Sequence, residues 1–378
     1  MDFIRILILL MRMRMIPELL AGLLFAGLLP AEAGNRYAEN FVLEQKQSHQ
    51  LLTIHNPLAG NRAEQRFALV SGEDSPPDLP TDCILLRVPL QRMLALETVP
   101  LGYLDALDSL NALAGVGSAR YITNPQVKAA LEEESIQAVP SGPGLDAETI
   151  LLLQPDLLLT SASNDPASDL PEALRRNGPT VFATTGYLEP HPLGRAEWLR
   201  VFAALLGKSD QANQIFNAVA DRYEKLAAST NSLADRPSVF CQAPFAGIWH
   251  VPGGNSHTAQ LIADAGGVYL WADHPGSAGI PLDLERVFLR AAQADVWLHP
   301  GVHRSLKALL AADPRLQRFH AVQTRQVYNN TRKANPQGGN PIHEEALVRP
   351  DILLADLIHI LHPDCLPEHE PVYYERLP

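Results

Sequence analysis

Only three cysteines occur in 378 residues, Cys83, Cys241 and Cys365, so the chain can close at most one internal disulfide and is not a disulfide-built scaffold. Three scattered thiols also fall short of what a cluster-binding metalloprotein needs. Long basic runs are missing: with a formal net charge of -12 and no cationic stretch to offset it, the sequence argues against nucleic acid as a partner. Recurrent catalytic signatures are missing as well. There is no G-x-S-x-G, H-E-x-x-H, P-loop or C-x-x-C, and GVGSAR (115–120) and GPGLDA (142–147) do not complete a dinucleotide fingerprint.

What is present is an ordinary globular composition, 46% hydrophobic and 19% charged, in a chain long enough for two cores. The start, MDFIRILILLMRMRMIPELLAGLLFAGLLPAEAG, sets Arg12 and Arg14 before the apolar stretch Leu19–Leu29 and the small-residue tripeptide Ala31-Glu32-Ala33. This predicts a secretory signal over residues 1–33, cleaved before Gly34, with Met11, Met13 or Met15 as alternative starts. The apolar stretch is short and Pro30 interrupts it, which disfavours a membrane anchor. No cysteine follows it for lipid attachment, the nearest being Cys83, so the expectation is a soluble, periplasmic protein whose charge stays at -12 after processing.

Residues 48–72 read as two β-rich runs around a turn, an antiparallel hairpin. Short apolar runs then alternate with helical stretches, LLLT (157–160) and TVFATT (180–185) among them, which predicts a parallel α/β lobe over 34–193. Residues 194–235 are helical. GRAEWLRVFAALLG ends at Gly207, and a helix over 209–229, with Ser209 as its N-cap, carries Ala212, Ile215, Phe216, Val219, Tyr223 and Leu226 as one stripe. Alternation resumes over 236–378 as a second α/β lobe.

One pattern is written twice. GLDAETILLLQPDLLLT (144–160) and PLDLERVFLRAAQADVWLHP (281–300) each place an Asp (Asp146, Asp283) to cap a helix, a Glu (Glu148, Glu285) in its first turn, and a buried strand after it. Two polar, glycine-rich stretches, GIWHVPGGNSH (247–257) and NNTRKANPQGGNPIHEE (329–345), are expected at the carboxyl ends of strands, facing the space between lobes. His250, His257, His299, His303 and His343 lack helical ligand spacing and read as surface or capping residues; Glu344-Glu345 beside His343 read as solvated loop.

Gly144 to Leu157, WHVPGGNS (249–256), AGGVYLWAD (265–273), ADVWLHPG (294–301) and VRPDILLADLIHILHP (348–363) occur in this order around the linking helix. Together they resemble the helical-backbone (class III) substrate-binding proteins of ABC importers, the group serving iron-siderophore complexes, cobalamin and haem, from about Arg92 to the C-terminal helix. The resemblance implies two Rossmann-like α/β lobes with mainly parallel sheets, one long backbone helix, and a ligand cleft between the lobes. It implies no enzyme activity and no resident cofactor, but a monomer that captures a ferric chelate, or alternatively cobalamin or haem, for a membrane permease with its ATPase. It further implies that Glu148 and Glu285 dock into basic pockets of that permease, and that the stiff linking helix limits lobe closure. Loop position within this plan nominates Thr98, Arg120, Tyr121, Trp249, Trp271, Asn330, Arg332 and Asn340 as ligand contacts. A secreted α/β enzyme is the rival, and it requires an activated Ser or Asp beside a cleft His.

Overall fold

The computed structural model describes residues 34–59, 64–73, 79–140, 144–162 and 178–378, with Leu170, Leu174 and Arg176 as isolated positions. The expected signal peptide lies outside the described residues. Arg36–Pro378 form one compact unit. It starts with a four-stranded sheet in which Phe41–Gln45, Gln50–His55 and Glu64–Ser71 pair antiparallel and Ile84–Val88 runs parallel to the third strand. Its inward residues Phe41, Leu52, Ile54, Phe67 and Leu69 join the core beneath.

Next comes an all-parallel sheet of five strands in the spatial order Gln137–Val139, Leu113–Gly117, Met93–Ala95, Leu157–Ser161, Thr180–Thr184. Both faces are covered, because successive side chains alternate: Met93 and Ala95 enter one apolar cluster and Leu94 the other. Numbered along the chain, the strands stand 3-2-1-4-5, so the direction of winding switches between Met93–Ala95 and Leu157–Ser161. The second sheet has the order Val268–Tyr269, Ser238–Cys241, Val296–Leu298, Val327–Asn329, Glu375–Arg376, parallel except for its last strand. Its switch falls between Ser238–Cys241 and Val296–Leu298. A three-stranded antiparallel sheet, Pro244–Phe245, Ile248–Val251 and Ile280–Leu282, flanks it.

The helix Ser209–Thr230 joins the two halves. At 22 residues it is about 33 Å long. Ala212 enters the first-lobe core, whereas Phe216, Val219, Ala220 and Tyr223 enter the second. Its N-cap is Lys208 rather than Ser209, and the lysine works differently from a Ser cap: its Nζ donates to the Asp108 carbonyl at 3.0 Å and to that of Leu107, so the helix start is tied by a side chain reaching outward.

A second junction binds the lobes. Leu347 and Val348, late in the chain, are buried in the first-lobe core. Just before them the Glu344 carboxylate, only 3% exposed, accepts from the Thr123 amide at 2.8 Å and the Asn124 amide at 2.9 Å. Glu344 is thus no solvated loop residue: it satisfies two backbone donors at the start of the helix Pro125–Glu132. The fit depends on Gly102, where a Cβ would stand 2.1 Å from the Glu344 carbonyl oxygen. Gly102→Ala is therefore expected to destabilise by about 1–3 kcal/mol through forced backbone displacement. A urea midpoint equal to that of the parent would refute this account of the junction.

Candidate functional site

In α/β sheets ligands gather beyond the carboxyl ends of strands, at the switch in winding. Here a cavity of about 1140 Å³ opens at that place on the first sheet. It is lined by residues that directly follow strands: Leu96 and Glu97, Ser118 to Tyr121, Pro140, and Ala162. Across the switch point the Glu97 carboxylate accepts from the Ser161 amide at 3.1 Å and from the Ser161 hydroxyl, which fixes the two strand ends together. The Arg120 guanidinium lies 4.3 Å above the Tyr121 ring and donates to its hydroxyl, so this cation is held over an aromatic face at the cavity wall.

The floor brings in the other lobe. Arg195, in the short helix Pro192–Glu197, and His257 and His343 line this cavity and also a smaller one of about 160 Å³, which His299, Asn330 and Tyr374 complete. His257 opens the helix His257–Asp264, whose N-cap Ser256 accepts the Ala259 amide at 3.2 Å. His299 immediately follows the strand Val296–Leu298 at the second sheet's switch point, with φ at 56°, a left-handed backbone that histidine adopts only when its surroundings fix it. His343 ends the turn Pro341–His343, which Asn340 caps by accepting the Ile342 amide at 3.2 Å.

Charge on this floor is one-sided. Arg195 Nη1 is 2.9 Å from His257 Nε2. A guanidinium only donates, so this imidazole nitrogen accepts and the ring is neutral. Burial, and next the Arg195 charge, hold the His257 pKa well below its usual value. Burial, and then neighbouring His343, push His299 down to about 4; burial, and then Arg195, do the same to His343, also to about 4. Tyr374 Oη lies 2.5 Å from His299 Nε2, and its buried phenol keeps its proton. Among the described residues no carboxylate lies within 4.0 Å of Arg195, so a half-buried cation, with only the more distant Glu189 charge acting on it, faces the cavity among neutral rings. Nor do three His, Cys, Asp or Glu side chains converge as metal ligands among the described residues.

The nominated residues divide. Arg120 and Tyr121 line the large cavity, and Thr98 and Asn340 a neighbouring recess of about 260 Å³ that shares Tyr121 and His343 with it. Asn330 is on the His-lined floor, where its carbonyl accepts from Asn340 Nδ2 at 3.0 Å. Trp249 and Trp271 are corrections. Strand alternation turns Trp249 into the second-lobe core, fully buried, with Nε1 donating to the Cys241 carbonyl at 2.8 Å and its ring 5.5 Å from Trp297. Trp271 is buried against Tyr269. Arg332 is exposed and lines none of these cavities, because its amide extends the pairing beside Val327–Asn329 by donating to the Tyr373 carbonyl at 3.2 Å. The cluster of Arg195, His257, His299 and His343 was not anticipated.

The repeated pattern forms two rim helices. Asp146 caps Ala147–Leu153, accepting the Glu148 amide at 3.1 Å and the Thr149 amide at 3.2 Å; Asp283 caps Leu284–Ala291, accepting the Arg286 amide at 2.7 Å. Glu148 and Glu285 are both exposed. Each helix runs back to the amino end of the parallel strand that follows it, so its first turn, with the glutamate, lies towards the carboxyl edge of the sheet where the cleft lies.

Residues 94–334 match the family model described as periplasmic binding protein. Two lipoproteins of Methanocaldococcus jannaschii, themselves uncharacterised, are similar: one is 24% identical over 314 residues, covering 79% of this chain and 73% of its own length. The other is 27% identical over 308 residues, 78% of this chain and 75% of its own. Their lipoprotein names lend no support to an unanchored protein. Among solved structures, a possible iron-binding periplasmic solute-binding protein of Staphylococcus epidermidis superposes with TM-score 0.57 at 14% identity, over 72% of this chain and 99% of that one. A periplasmic haem-binding protein of Pseudomonas aeruginosa gives 0.54 at 19% identity (75% and 95%), and a protein of the Fe3+-hydroxamate transport system of Saccharomonospora viridis gives 0.52 at 19% (72% and 92%). At such identities the likeness establishes a shared two-lobed fold.

Proposed function

The chain belongs to the periplasmic binding protein family, whose members capture small ligands for an ABC permease and its ATPase, and from that premise we propose that it captures a ferric chelate, an iron-siderophore complex or ferric citrate, outside the cytoplasm. The observation that carries this reading is Arg195. A half-buried guanidinium with no carboxylate within 4.0 Å among the described residues suits a ligand that brings its own anionic oxygens. Arg120 on the wall adds a second cation, and Tyr121 and Tyr187 supply faces for the chelate's organic part. The site acts by recognition, with lobe movement restrained by the linking helix and by the Glu344 junction.

A second reading, haem or cobalamin in the same role, draws support from His343, a neutral imidazole lining the same cavity and open to one metal bond, whereas His257 Nε2 is already taken by Arg195. Titration calorimetry with a hydroxamate and a catecholate ferric siderophore, ferric citrate, cobalamin and haem separates them. All four tryptophans, Trp198, Trp249, Trp271 and Trp297, are buried, so heat or the chelate's own absorbance is the better signal. Saturable binding of a ferric chelate is expected; binding of haem or cobalamin alone selects the second reading, and binding of none overturns both. In this role Glu148 and Glu285 meet cationic groups on the permease, and Glu148→Ala and Glu285→Ala lower transport while ligand affinity stays.

A further inference from the structure

The two rim helices match beyond their acids. Counting from the capping Asp, the fourth residue is fully buried in both (Ile150 and Val287), and the sixth is an exposed leucine in both: Leu152 is 77% exposed and Leu289 86%. At about 100° per residue, positions two and six lie on either side of the direction opposite the buried fourth, about 40° apart. Each Glu therefore has a Leu beside it on the outward face, one turn and about 6 Å along the axis. Single exposed leucines are ordinary. The same carboxylate-and-leucine pair recurs here at one register, on two helices that begin at the same sheet edge of their lobes.

Resting on the transport reading above, we propose that Leu152 and Leu289 form the apolar half of the docking surface for the transporter's membrane permease, each seated beside its glutamate. The partner's chemistry follows: a cationic group next to an apolar socket, presented twice. The carboxylates are available for it. Glu148 has no ion pair among the described residues, and Glu285 has one loose contact, 3.6 Å to Arg315 across exposed surface. A second copy of this chain fits poorly, since such a pairing sets acids against acids in a protein of net charge -12.

The test measures binding of the protein to its permease–ATPase complex in nanodiscs, with Leu152→Gln, Leu289→Gln and the double variant beside Glu148→Ala and Glu285→Ala. Each leucine variant is expected to weaken permease binding about tenfold and the pair about a hundredfold, because the sites are separate. Calorimetric affinity for the ferric chelate stays at the parent value. If only the glutamate variants weaken binding, the leucines are plain surface and the proposal falls while the transport reading stands. If the leucine changes alter the protein's sedimentation as an oligomer and not its permease binding, the surface is a self-interface and the proposal falls. A parent protein that binds neither permease nor any chelate overturns the transport reading and this proposal together.

Discussion

Replacing Arg195 with leucine is expected to weaken ferric chelate binding about a hundredfold or more, with no loss of stability in the empty protein. The two halves of this result have one cause. A guanidinium partly drawn out of water, with no carboxylate within 4.0 Å among the described residues, costs the folded state free energy, and an apolar side chain removes that cost, which offsets the hydrogen bond lost to His257 Nε2. The ligand's oxygens supply the missing counter-charge, and losing one partner of a desolvated, charge-assisted pair costs about 2–5 kcal/mol of affinity. The backbone role of Arg195, whose carbonyl accepts from the Tyr103 hydroxyl at 2.8 Å, survives the substitution. Arg195→Lys keeps the charge but not the planar fork and is expected to restore only part of the affinity. Calorimetry and urea unfolding on the same samples read both quantities. A leucine variant that binds like the parent, or that loses affinity only in step with its stability, would show that Arg195 is a structural cation.

The parts of the molecule that follow from local pattern were legible in the sequence. The stripe from Ala212 to Leu226 fixed the linking helix to within one residue of Ser209–Thr230, because helical period and apolar face coincide there. Apolar runs such as Leu157–Leu159 became strands buried on both faces, which is what a parallel sheet demands. The glutamate pair was visible because capping chemistry is local: Asp146 and Asp283 bond amides two or three residues away. The binding floor was not, since Arg195, His257, His299 and His343 are more than forty residues apart from one another in the chain and meet only through the closure of both lobes. A signal existed nonetheless. His299 directly follows the Val296–Leu298 strand and His257 directly follows a Ser cap, positions that topology sends to the cleft. Trp249 misled for the opposite reason: its loop-like neighbours Pro252, Gly253 and Gly254 hid a strand whose alternation turns the indole inward. Strand period outweighs the tendency of aromatic residues to occupy binding sites.

Acid is expected to undo this floor. His299 is neutral in the folded protein down to about 4, whereas in the unfolded chain it takes a proton near 6.5. A depressed imidazole adds stability above the unfolded value and loses it as pH falls from about 6.5 towards 4, at about 1.4 kcal/mol per pH unit per group. Buried Glu189 and Glu344, whose pKa values are raised by burial, work in the opposite sense and temper the loss. The urea midpoint should therefore drop steadily between pH 6.5 and 4.5, by the equivalent of about 2 kcal/mol, and His299→Gln should flatten that slope; a flat profile in the parent would show that this ring is not held neutral. The imidazoles of the floor also distinguish the two ligand readings. An anionic chelate seated on Arg195 raises the pKa of the imidazoles around it, so binding near pH 5.5 takes up protons, measurable as a dependence of binding heat on the buffer's ionisation enthalpy. A metal bonded by His343 needs the neutral ring already present and takes up none. Proton uptake on binding thus assigns the floor to anion recognition, and its absence assigns it to coordination.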